Sequence, residues 1–190
     1  FPDPDWAERL IAAHEGPWAA VGPSIRNANP GSAVSRADLL IGYGPWLDPA
    51  DAREAPFLPG HNTSYKREIL LGFGERLGTM LDAETLLHWE LRSQGLRLWL
   101  EPSARIAHAN FSLWRSWLPA QYHYGRLFAG LRASRMPRWR RVVYVAGSPL
   151  IPAVRLARIW REALARPGHR APWSCLHALV AGLAMDGLGQ

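Results

Sequence analysis

Apolar positions recur at helical spacing near the start of the chain, where Trp6, Leu10 and Ala13 fall on one side and Asp5 and Glu8 have the spacing of a reciprocal cap. This predicts a helix over Trp6–His14, stopped by Gly16 and Pro17. The short apolar run Trp18–Gly22, bounded by Gly-Pro pairs, predicts a buried strand. Asn27–Gly31 reads as a turn, and Ser35 with Asp38 opens a second helix to about Tyr43. From Pro45 to Pro56 no period is visible, which predicts a surface loop. Ser64 then caps a helix carrying Tyr65, Ile69 and Leu70, broken at Gly72 and Gly74. The next helix starts at Asp82 or Ala83 and stops at Gly95, with Glu84, Leu87, His88 and Leu91 on one face because they lie three and four residues apart. A strand at Arg97–Leu100, a turn at Glu101-Pro102 and a further extended run Ala104–His108 complete this part.

After Leu113 the pattern is helical to about Met136, with Pro119 tolerated near the start. Trp139–Ala165 is helical but interrupted at Pro149 and Pro152. In its second half Leu156, Ile159, Trp160, Ala163 and Leu164 occupy one arc, opposite Arg155, Arg158, Arg161 and Glu162. Trp173–Leu188 is apolar, but shorter than the ~20 residues a bilayer span needs.

Composition changes this picture in one respect. A hydrophobic fraction of 48% in 190 residues suits one globular domain and excludes disorder. The net charge of +6 is carried almost wholly by arginine, Lys66 being the one lysine, and most of it lies after Leu113. Such a third suggests phosphate, anionic lipid or nucleic acid as partner. The single Cys175 excludes an intramolecular disulfide and a cysteine metal cluster, and fits a reducing compartment. No secretory signal opens the chain, and its start inside a proline turn has the look of a piece of something longer.

The expected fold class is α/β, with a boundary near Pro137 between a compact part, 1–136, and a basic amphipathic helical tail, 137–190. The candidate chemistry sits between Leu58 and His108. A polar loop (Leu58–Arg67), a helix that begins with carboxylates and a strand ending in histidine can meet at one sheet edge, where α/β proteins commonly bind ligands.

In order and spacing these stretches resemble the acceptor-side half of family 2 glycosyltransferases, inverting enzymes with a glycosyltransferase A-type fold. The likeness covers roughly Trp6 to Ala133. Pro59–Arg67 resembles the family's glycine-asparagine loop and basic helix start. Glu84 with Leu87, Leu91 and Gly95 resembles the helix of its catalytic Glu-Asp pair. Pro102–His108 resembles the strand whose histidine helps hold the metal and donor diphosphate, and Gln121–Arg126 resembles its glutamine-arginine motif. Two positions depart from the pattern: counting back from Gly95 puts Glu84 at the usual aspartate and Ala83 at the usual glutamate, and Leu127 stands where tryptophan is common.

The resemblance implies Glu84 as catalytic base with Asp82 as its substitute. Gly60, His61, Asn62, Arg67, Gln121 and Arg126 would contact acceptor or donor, and His108 would be a ligand to a divalent Mg or Mn. Glu84 would stay ionised at a helix N-terminus, and His108 would offer a neutral ring nitrogen. It further implies a nucleotide-sugar donor, held in that family by an N-terminal half of parallel strands carrying an Asp-x-Asp metal motif, and no such segment is recognised here. The acceptor would be a glycan or a lipid-linked sugar. Plainer alternatives stand beside each role: first-turn acids start helices, Gly60 and Asn62 make tight turns, and Gln121 and Arg126, five apart, point different ways on a regular helix.

For the tail, separation of arginine from leucine and tryptophan favours an anionic membrane surface over nucleic acid, which would want cations and aromatics on one face. A cytoplasmic protein peripheral to the membrane is the resulting expectation. The rival to an enzyme is a non-catalytic, membrane-associated binding module.

Overall fold

A computed structural model of the chain describes residues 1–81, 84–134, 136–165 and 172–190. In chain order its elements are α1 (Trp6–Ala13), β1 (Ala20–Asn27), α2 (Ala33–Tyr43), β2 (Arg53–Glu54), β3 (Ser64–Tyr65), α3 (Arg67–Leu71), α4 (Leu77–Leu81), α5 (Glu84–Ser93) and β4 (Leu98–His108). Helices α6 (Trp114–Ser134), α7 (Arg138–Gly147), α8 (Ile151–Ala165) and α9 (Leu176–Gly189) follow. The expected α/β class holds at this level: a four-stranded mixed sheet with many helices.

The chain forms two compact units, Phe1–Arg26 with Trp46–His108, and Asn27–Pro45 with Ala109–Gln190. The division therefore does not fall at Pro137 as expected. Helix α6, placed with the first part by its sequence, packs along α9 in the second unit.

In the first unit the sheet order is β2-β4-β1-β3. The outer pairs are antiparallel, with Ala20 opposite Tyr65 and Arg53 opposite Leu100. Between β1 and β4 two hydrogen bonds advance in step, Ala19 N to Arg97 O (2.8 Å) and Ser24 Oγ to Pro102 O (2.9 Å), so the central pair is parallel. Residues 20–25 of β1 are buried without alternation, as a central strand requires. Leu10 of α1, Val21 and Ala104 close one small core, with the stacked rings of Trp18 and Trp99 (centroids 4.4 Å apart) at its side.

Several local expectations change. Pro102 does not turn the chain, because its carbonyl receives Ser24 Oγ and β4 runs through it. The predicted loop after Pro45 contains β2, whose pairing to β4 no local pattern announces. Ser64 does not cap a helix; it pairs with Val21 in β3, and α3 starts at Arg67. The cap of α2 is Ser32, whose Oγ accepts from Ser35 N at 3.0 Å, while Ser35 turns its own hydroxyl to the side chains of Asn27 and Asn29.

In the second unit Val34, Ala37, Trp117, Ile159, Cys175, Ala178, Leu179 and Leu183 form one core. Asp38 ties α2 to α6, accepting from Trp117 Nε1 (2.7 Å) and Gln121 Nε2 (3.2 Å). Most of the apolar arc of α8 packs inside the unit: Ile159 and Ala163 are buried, Leu156 packs on the core and Trp160 meets the Trp173 ring edge-on, while Leu164 at its end is exposed. Arg155, expected on the solvated side, pairs with Asp186 of α9.

Candidate functional site

The loop after Leu58 is seated on the sheet because β1 carries a glycine beneath it. A Cβ on Gly22 would lie 3.0 Å from both Leu58 Cβ and Pro59 Cδ, so a side chain there would lift the loop away. Its next residue, Gly60, faces α5. A Cβ on Gly60 would stand 2.4 Å from Glu84 Oε2 and 2.9 Å from its Cδ, which means that the carboxylate lies directly on bare backbone. Asn62 then takes a left-handed conformation (φ 71°), which asparagine tolerates better than most side chains and which turns the loop back towards β3.

One residue on from Gly60, the His61 ring leans over His108, the last residue of β4, with centroids 4.9 Å apart and planes tilted by 38°. Gly60 thus lies against Glu84 and its neighbour His61 against His108, with Asn62 next in the same loop. Arg67 is exposed at the first position of α3. Asp82 lies outside the described residues.

The electrostatics differ from the expectation in an instructive way. Glu84 was expected to ionise readily at its helix end. Its carboxyl is half-buried, and desolvation raises its pKa, outweighing the opposing hydrogen bond from its own backbone. A carboxylate held above its ordinary range is a stronger base than a solvated one. His61 is exposed on one side and covered by the second imidazole on the other. Desolvation first, and the neighbouring His108 second, lower its pKa and keep it neutral.

Two residues that the sequence placed in helices for other reasons belong to this site. His88, four positions after Glu84, is 1% exposed and sits under the loop. Leu58 N donates to its Nδ1 at 3.4 Å, and its Nε2 lies 2.8 Å from Tyr65 Oη. Burial lowers its pKa to about 4, so the ring is neutral at pH 7. Since Nδ1 accepts, Nε2 carries the proton and donates to the Tyr65 oxygen, which leaves the phenol hydrogen to point elsewhere. Burial first, then the charge of Glu84, pushes the Tyr65 pKa up, so the phenol stays protonated. The available signal was the four-residue interval between Glu84 and His88, which puts both on one helix face.

Gln121 and Arg126 are not assembled as a pair. Both lie in the second unit, on a helix that continues unbroken through Gly125. Five residues at ~100° each separate them by about 140° around the axis. Gln121 is buried and spends its amide on Asp38, whereas Arg126 is exposed beside the Tyr122 ring. Gly125, where a distorted turn would have been needed, is a packing residue: a Cβ there would meet Asp186 O of α9 at 2.1 Å.

The metal expectation rests on His108. Among the described residues no three His, Cys, Asp or Glu side chains converge. Two adjacent imidazoles are also the wrong donor set for Mg, which takes oxygen ligands, and an incomplete one for Mn. The pair does not by itself fit the implied cation. No family model matches the chain, and no curated protein matches it.

Proposed function

We propose that the first unit is the acceptor side of an inverting glycosyltransferase of the A-type fold, with Glu84 as general base. The observation that carries this reading is the Glu84 carboxylate lying half-buried on the bare backbone of Gly60, its pKa raised by desolvation. In the reaction an acceptor hydroxyl gives its proton to Glu84 while its oxygen bonds to the anomeric carbon of a nucleotide-sugar. The bond from that carbon to the diphosphate oxygen breaks on the opposite face, and the nucleoside diphosphate leaves.

The remaining groups orient. Tyr65, accepting from His88 at 2.8 Å, has a hydroxyl hydrogen free to donate to the acceptor oxygen or to the carboxylate. Asn62 and His61 present an amide and an imidazole from the loop to sugar hydroxyls. No step is assigned to a metal.

The test is Glu84→Gln in the full-length gene product, assayed for transfer and hydrolysis against a panel of nucleotide-sugars. Loss of a general base lowers transfer by ~100- to 10,000-fold. The fold is retained, because an amide is accommodated where an ionised carboxyl is desolvated. For the wild type kcat/KM rises with pH along a limb displaced above the ordinary glutamate range. An unchanged rate in Glu84→Gln removes the residue from catalysis, and glycan binding without transfer by the wild type points instead to a non-catalytic module.

A further inference from the structure

The apolar arc of α8 is used inside the second unit, but a different one is bare. Helix α7 has ten residues and none of them is buried. Trp139, Val142 and Val143 are 63%, 69% and 64% exposed, and Leu150 in the turn that follows is 67% exposed. At ~100° per residue Trp139, Val142, Val143 and Ala146 share an arc of about 100°. Arg138 borders that arc on one side and Arg140 on the other, both exposed. Tyr144, on the inward side, fixes the helix to the body of the unit: its hydroxyl donates to Gln190 Oε1 (2.7 Å) and the Arg132 guanidinium stacks 4.4 Å over its ring.

We infer that α7 and the Ser148–Leu150 turn form a docking surface for an anionic lipid bilayer, on which the helix lies flat in the headgroup layer. Water gives no reason to hold four apolar side chains outward on a short helix, since such a helix gains its stability from covering that face. Arginines at both borders complement anionic headgroups, with their stems along the apolar strip and their charges beside the phosphates. A tryptophan at the start of the strip has the amphipathic ring that favours this depth.

The stretch Arg138–Ala165, 28 residues, is long and apolar enough to cross a membrane by length and composition alone. Its second half, however, holds Ile159 and Ala163 in the core and Arg155 against Asp186, so crossing would require dismantling the unit. The surface is independent of the sugar-transfer reading, so the two fail separately.

The test is flotation of the full chain with vesicles of phosphatidylcholine alone and of phosphatidylcholine mixed with phosphatidylserine. Binding is expected to the mixed vesicles and to weaken with salt. Val142→Asp with Val143→Asp lowers partitioning on the order of 100-fold, about tenfold for each side chain no longer buried. Arg138→Ala and Arg140→Ala lower it by roughly fivefold each. Circular dichroism monitors folding, and the arginine variants keep the test open if the aspartates perturb the helix. Absence of flotation overturns the inference, as does flotation indifferent to all four substitutions. Dimerisation abolished by the valine changes, without vesicle binding, assigns the face to a second copy instead. Resistance to alkaline carbonate extraction assigns it to a span.

Discussion

Gly60→Ala isolates the contact on which the candidate site depends. The added methyl carbon would lie 2.4 Å from Glu84 Oε2, 2.9 Å from Cδ and 3.2 Å from Oε1, against an ordinary separation of 3.4 Å or more. The carboxyl group must therefore withdraw by about 1 Å (3.4 − 2.4). Gly60 is not among the positive-φ glycines, so the substitution carries no backbone strain. The obstructing atoms are the far end of a rotatable side chain, which can swing away at a cost of about 1 kcal/mol. Stability is thus little affected, whereas a reacting group misplaced by 1 Å costs on the order of 100-fold in rate. Transfer by the full-length gene product, measured beside the thermal midpoint, should separate the two: a fall of about 100-fold in kcat with a shift of a few degrees at most. In a Glu84→Gln background the alanine should have no further effect, because the group it displaces has already lost its role. Wild-type turnover by Gly60→Ala, or an equal loss in both backgrounds, would refute the geometry proposed for the base.

Acid should expose the buried imidazole. His88 is depressed to about 4 in the fold against 6.5 unfolded, so the unfolded chain binds more protons between these values. Its contribution is present above pH 6.5 and lost as pH falls to 4. The full loss is roughly 3–4 kcal/mol, from 2.5 pH units at ~1.4 kcal/mol each. Urea denaturation of the wild type and His88→Gln across this range should show the difference shrinking with acid, and parallel curves would contradict it. Glu84 works in the opposite sense: its raised pKa penalises the folded state as pH rises through it, so Glu84→Gln should raise the thermal midpoint at pH 7, and a lowered midpoint would count against desolvation. In the second unit a Cβ on Gly182 would lie 2.4 Å from Trp117 Cη2 and 3.0 Å from Ile41 Cδ1, with the tryptophan fully buried. Gly182→Ala should therefore destabilise by about 1–3 kcal/mol in chemical denaturation, and a neutral result would show that the ring can yield.

What could be read in the residue order was whatever one element decides by itself. The i, i+4 interval set Glu84 and His88 on one face of α5, and Gly95 ends the helix in a left-handed conformation (φ 78°) that favours glycine. What could not be read depends on a partner distant in the chain. Ser64 is a good cap by type, but pairing with Val21 overrides it. The leucine and isoleucine arc of α8 looks the same whether its cover is lipid or α9, and α9 is the cover. Tyr65 became part of the site only when β3 set its hydroxyl beside His88. Gln121 is polar by sequence and belongs to the core because Asp38 receives it.

The rim strand β3 is two residues long, held to the neighbouring backbone opposite Ala20 and Val21 and by Lys66 N to Ala19 O at 3.1 Å. So slight a seam can part while the deeper strands stay joined. Because Gly60, Asn62 and Tyr65 ride on the same segment, its parting would withdraw backbone, amide and phenol together, uncovering Glu84 and His88 with no wider unfolding.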